Sequence, residues 1–120
     1  HGGSLFQGFR EQAARMDPER LPAVLEAMGG LRMPKGEPGY QLMAFPFLPV
    51  YFQYWRSDEE FPAQINLFWD KNTTDIIHYE TVYYLSGFLM ERIIALLDRD
   101  GREHTERENG YGFTEAARRD

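Results

Sequence analysis

The 120-residue sequence contains no cysteine. That excludes a disulfide, a thiolate nucleophile and a cysteine-ligated zinc or iron–sulfur cluster within these residues. Lysine is scarce as well, with Lys35 and Lys71 beside eleven arginines that form no basic cluster. At a formal net charge of -6, the chain has no surface suited to neutralising a row of phosphates, so neither nucleic acid nor an anionic membrane is an expected partner. No apolar run approaches the ~20 residues that span a bilayer, and no charged-then-apolar leader opens the chain. A cytoplasmic protein is expected. Catalytic signatures are missing too. Ser4, Ser57 and Ser86 stand in no nucleophile elbow, and neither "HGG" (1–3) nor "GEPG" (36–39) follows a strand and opens a helix as a phosphate loop must. The motifs support no enzymatic activity and specify no cofactor.

Large side chains are abundant by contrast. Apolar residues make up 42% of the chain and aromatics 15%, enough for one core dominated by a few rings. Leu5, Phe6, Phe9, Ala13 and Met16 fall at helical spacing and predict a first helix over 4–16. Asp17-Pro18-Glu19 reads as an N-cap with proline at the first helical position, and Leu21, Val24, Leu25 and Met28 supply the stripe of a second helix. Gly29-Gly30 can take the left-handed conformation that ends it. Beyond that point the period becomes alternating: "YQLMAF" (40–45), "VYFQYW" (50–55) and "QINLFW" (64–69) read as antiparallel strands, and "LRMP" (31–34) as a further one. From Tyr79 the spacing is helical again, with Val82, Leu85, Leu89, Ile93 and Leu96 on one stripe that Tyr84 and Phe88 widen. The fold class is therefore α+β: two N-terminal helices, an antiparallel sheet of three or four strands, and a long C-terminal helix packed on it. Residues 1–98 form a single domain, and 99–120 a polar, mobile tail or partner-binding segment. Because the chain opens His1-Gly2-Gly3 without methionine, it is expected to be a piece of something longer, with residues 1–98 the C-terminal part of a longer domain.

The order of "MGG" (28–30), "FPFLP" (45–49), "DEEFPAQINLFWD" (58–70) and "HYE" (78–80) resembles the family known as domain of unknown function 3786. The resemblance covers about residues 3–95. It implies a family of anaerobic bacteria and archaea, sometimes joined to iron–sulfur or corrinoid-related modules, and hence an accessory role. It transfers no catalytic residue.

Two clusters of acids flank the central hairpin. Asp58, Glu59 and Glu60 lie at one end, and Asp70, Asp75, His78 and Glu80 at the other, separated by six strand residues that rise ~20 Å. The first cluster is expected to be a solvated connection in which Asp58 bonds its own backbone and Phe61-Pro62 tuck onto the core. Its alternative is a local site for a divalent cation or a cationic partner. In the second, Asp70, Asn72 and Thr74 begin like a calcium loop, but Asp75 stands where glycine is required and Thr81 where glutamate is. Asp75 or His78 capping the last helix, with Glu80 at its positive end, explains these residues. Aromatics supply the remaining candidates, above all Tyr51, Trp55 and Trp69. Alternation puts Tyr51, Gln53 and Trp55 on one sheet face and Val50, Phe52 and Tyr54 on the other, so both faces are apolar, and the last helix on one side leaves the other exposed unless the first two helices or another chain cover it. The reading that follows is a non-catalytic binding or accessory domain that engages a partner, a missing N-terminal segment or a second copy through this aromatic region. The alternative is a metal-assisted enzyme using acids at one end of the hairpin.

Overall fold

The computed structural model describes residues 4–45, 48–70, 73 and 78–110. In chain order these form β1 (Ser4–Gly8), α1 (Arg10–Ala14), α2 (Leu21–Ala27), β2 (Leu31–Met33), β3 (Gly39–Phe45), β4 (Leu48–Trp55), β5 (Gln64–Trp69) and α3 (Tyr79–Gly110). The five strands make one antiparallel sheet in the order β1-β5-β4-β3-β2. The expected α+β class is what the chain adopts, with one strand more than the sequence suggested.

That extra strand replaces the first part of the helix anticipated over 4–16, and α1 keeps a short piece of the rest. Residues 4–8 pair with β5, Ser4 opposite Trp69 and Gly8 opposite Ile65. Phe6 is buried between the exposed Leu5 and Gln7, which is the alternation of a strand. The chain then turns at Gly8 and Phe9, both at positive φ (104° and 41°), before the short α1 begins. A positive φ is easy for glycine and uncommon for phenylalanine. Leu5, Phe6 and Phe9 fit a helical stripe on paper, but the pairing with β5 supplies hydrogen bonds and a buried site for Phe6 that a helix here would forgo.

The second helix follows its signals closely. The Asp17 carboxylate accepts the Glu19 N–H at 2.9 Å, and the Asp17 carbonyl accepts from Arg20 and Leu21. α2 then starts at Leu21 with Pro22 in its first turn, where a missing donor costs nothing. It ends in a Schellman arrangement, with the Gly29 N–H on the Glu26 carbonyl, the Gly30 N–H on the Leu25 carbonyl, and Gly29 at φ 86°.

All three helices serve the same face of the sheet. Phe6, Leu67, Phe52 and Tyr40 lie in register across β1, β5, β4 and β3, and all are buried. Val50, Leu42, Ile65, Tyr54 and Trp69 share that face. Against it pack Ala13 and Met16, then Leu21, Val24 and Leu25 of α2, then Val82, Met90, Ile93, Ile94 and Leu97 of α3. Each fully buried aliphatic side chain stabilises the fold by roughly 1.5–3 kcal/mol. Tyr40 is buried with its hydroxyl donating to the Glu26 carboxylate at 2.6 Å, while Arg32 lies over its ring at 5.3 Å and bonds the same oxygen at 3.3 Å. Burial, and then the bond to Glu26, raise the Tyr40 pKa above 10.0. Burial raises that of Tyr54 as well.

The helix α3 runs for 32 residues, about 48 Å. It does not stop near Asp98: the backbone continues helical to Gly110, so the first part of the expected polar tail is helix, and residues 111–120 lie outside the described residues. Its buried stripe includes Ser86. Tyr84 and Phe88, expected to widen that stripe, are exposed instead, because the helical layer is one helix deep at this point and their side points away from the sheet. Among the described residues no helix is long and apolar enough to cross a membrane.

Ser86 binds the two layers through a polar contact within the core. Its Oγ accepts the Trp69 indole N–H at 2.9 Å and donates to the Val82 carbonyl at 2.9 Å. Ser86→Ala strands a buried donor, so the variant is expected to lose about 1–3 kcal/mol of stability in denaturant unfolding. A loss within the ~0.5 kcal/mol typical of surface substitutions would contradict this role.

Candidate functional site

Strand alternation that points Phe6, Phe52, Leu67 and Trp69 at the helices points their neighbours the other way. Leu5, Phe68, Tyr51, Gln41 and Leu31 fall in register across all five strands. They form one row on the face against which none of the described helices packs. Leu5 is 45% exposed, Phe68 38% and Leu31 64%, and Met43 on the same face is 47% exposed. The Tyr51 and Phe68 rings contact at 6.0 Å between centroids, tilted by 49°. Beside this apolar row runs a polar one. Gln7, Asn66 and Gln53 are in register on β1, β5 and β4. Gln53 is buried and accepts the Trp55 indole N–H at 3.3 Å, whereas the Asn66 side-chain oxygen is buried without a hydrogen-bond partner. An unmet acceptor of this kind costs on the order of 1–3 kcal/mol. The face thus combines exposed apolar side chains with a row of amides, of which Gln7 is exposed and the Gln53 side chain and the Asn66 oxygen are buried.

One end of the face is bounded by the turn between β2 and β3. The Tyr51 hydroxyl accepts the Lys35 N–H at 3.1 Å and donates to the Lys35 carbonyl at 3.2 Å. Two backbone bonds fasten the turn further, from the Glu37 N–H to the Tyr54 carbonyl and from the Tyr54 N–H to the Pro38 carbonyl. Gly39 makes this closeness achievable. A Cβ there would sit 1.6 Å from the Lys35 carbonyl oxygen, which no side chain can occupy.

The residues singled out from the sequence separate into three groups. Tyr51 and Trp55 lie on the open face, both half-buried. Trp69 does not: it is buried against α3, so it belongs to the core and not to a pocket. Asp58, Glu59 and Glu60 are exposed in the connection between β4 and β5. The Asp58 carboxylate accepts the N–H groups of Glu60 and Phe61, each at 2.8 Å, which is the local turn anticipated for it. Phe61 and Pro62 are exposed, however, and do not tuck onto the core. The connection is pinned elsewhere, through Arg56 to Glu19 at 3.1 Å.

Asp70, His78 and Glu80 are exposed beyond the other end of β5. The Asp70 carbonyl accepts the Thr73 N–H, the His78 carbonyl accepts the Val82 N–H, and Glu80 stands in the first turn of α3. Asn72, Thr74 and Asp75 lie outside the described residues. Among the described residues there is no group of three or more His, Asp or Glu side chains placed to hold a metal ion.

Leu5, Leu31, Gln41, Met43 and Phe68 were not singled out by sequence reasoning. Their signal was present in β5, where Ile65, Leu67 and Trp69 alternate with Gln64, Asn66 and Phe68. The first set reads as core, and the mixed second set marks the opposite face.

Gly39→Ala is expected to force the Lys35 turn away from Tyr51, costing roughly 1–3 kcal/mol or more. The check is denaturant unfolding alongside the Tyr51 hydroxyl environment by NMR. Wild-type stability with an unchanged Tyr51 signal would contradict the close approach.

In comparison with known proteins, the model of the family described as Domain of unknown function (DUF3786) matches residues 11–92. No curated protein and no solved structure matches the chain.

Proposed function

We propose that this chain, which belongs to the DUF3786 family, is a non-catalytic binding or accessory domain. Its open sheet face receives an apolar surface of a partner protein. The observation that carries the reading is the row Leu5–Phe68–Tyr51–Gln41–Leu31, continuous across five strands, with Leu5, Phe68 and Leu31 exposed and a well-packed core behind it. Exposed apolar rows of this extent, rimmed by polar groups, are typical of protein contacts. Aromatics at the centre of the row, Tyr51 and Phe68, are the side chains that most often dominate such contacts. The exposed amide of Gln7 beside the row supplies a hydrogen bond that orients the partner. In this reading the protein works in the cytoplasm of an anaerobe, as an accessory to a larger assembly.

The competing proposal, a metal-assisted enzyme built on acids at one end of the hairpin, draws less support. Its acids stand apart, Asp58 before β5 and Asp70 after it, and none converges with another on a common pocket among the described residues.

The test is a photocrosslinking amino acid placed at Phe68, with one at Phe61 in the acidic connection as control, in cells that make the protein naturally. A discrete crosslinked species at Phe68 and not at Phe61 is expected. The partner so identified, purified and titrated against the chain, should lose about tenfold or more in affinity on Phe68→Asp. Equal crosslinking at both positions, or affinity unchanged by that substitution, would overturn the reading.

A further inference from the structure

Helix α3 carries a second apolar surface, on the side that faces away from the sheet. Tyr84 is 65% exposed and Phe88 71%. At the same four-residue spacing stand Glu80 before them and Arg92 after them, both exposed. The row therefore reads acid, ring, ring, base. Residues four apart are neighbours on a helix surface, so these side chains form one continuous ridge. Among the described residues neither Glu80 nor Arg92 takes part in an ion pair, whereas Glu91 on the adjacent ridge is bonded to Arg15 at 3.4 Å.

That adjacent ridge is Tyr83, Gly87, Glu91 and Ala95. At Gly87 an added Cβ would meet nothing within 4 Å. The chain's own packing gives no reason for a glycine there, although glycine is unfavourable in a helix interior. A hollow beside two exposed rings is what a second helix needs for close approach.

We propose that this ridge is a homodimer contact, in which two copies of α3 cross antiparallel about a two-fold axis at the level of Ser86. The order of residues makes the ridge complementary to itself under that operation. Position 84 of one copy faces position 88 of the other, and position 80 faces position 92. Tyr84 then meets Phe88 of the second copy and Glu80 meets Arg92 of the second copy, and the symmetry makes each contact twice. Ridges of this four-residue kind pack into one another's grooves in the commonest class of helix crossing, at about −50°. The absence of a side chain at Gly87 leaves the helix surface beside the two rings open to the incoming helix. An isologous contact of this kind closes on itself and does not propagate. It is small for a permanent dimer, so association depends on protein concentration. The open sheet face lies on the opposite side of the molecule and stays free for its own partner.

Sedimentation velocity of the full chain, from low micromolar to near-millimolar concentration at low salt, is the test. A reversible monomer–dimer equilibrium is expected. Glu80→Arg alone and Arg92→Glu alone should each weaken the dimer by about tenfold or more, because each sets like charges opposite one another twice. The variant carrying both substitutions should recover the wild-type dimer. An equimolar mixture of the two single variants should form heterodimers of wild-type strength, since each supplies the charge that the other has lost. Circular dichroism of each variant confirms that the helix is intact, and both substitutions are at exposed positions. A chain that stays monomeric throughout the range would overturn the proposal. So would a dimer whose strength neither charge substitution changes.

Discussion

The buried bond from the Trp69 indole to Ser86 holds the last residue of β5 to the N-terminal part of α3. Much of the structure depends on that junction. Trp69 pairs with Ser4 on one side and with Val50 on the other, so the helix is tied to the strand that joins β1 to the rest of the sheet. A polar link inside an apolar layer also fixes position, since the indole N–H is satisfied only where Ser86 lies beneath it. Hydrophobic packing alone would tolerate sliding of α3 along the sheet at little cost. The hydrogen bond does not.

Fixing the helix on one face decides the character of the other. Among the described residues α1, α2 and α3 all contribute to the same core. Every strand nevertheless has two faces, and β4 carries large side chains on both. The outcome is a two-layer molecule whose open face retains Tyr51, Phe68, Leu5 and Leu31 next to a row of amides. Function, in the account proposed above, follows from this asymmetry. The acids at the ends of the hairpin contribute turns and helix-end electrostatics, with Asp58 satisfying backbone donors and Glu80 favouring the positive end of α3.

Local signals in the sequence were readable where local chemistry decides the outcome. Strands β3, β4 and β5 carry aromatic and branched residues between prolines, and α2 has an Asp17 turn before it and Gly29 after it. Strand β1 was not readable in this way. Leu5, Phe6 and Phe9 suit a period of 3.6 as well as a period of 2, and the choice rests on pairing with β5 some sixty residues away. Exposure on α3 was hidden for a related reason: Tyr84 and Phe88 look like an extension of the buried stripe until the depth of the layer is known. Trp69 and Trp55 looked equivalent as candidate site residues. Their strand phases separate them, since Trp69 shares a face with Ile65 and Leu67 while Trp55 pairs with Gln64.

The one-sided sheet is tested most directly by hydroxyl-radical footprinting of its methionines. Met43 lies on the open face and Met90 in the core beneath the sheet, so they report on the two sides in one experiment with the same chemistry. The account predicts rapid oxidation of Met43 and strong protection of Met90. Equal protection of both would mean that the second face is covered within the chain itself, and would contradict the account.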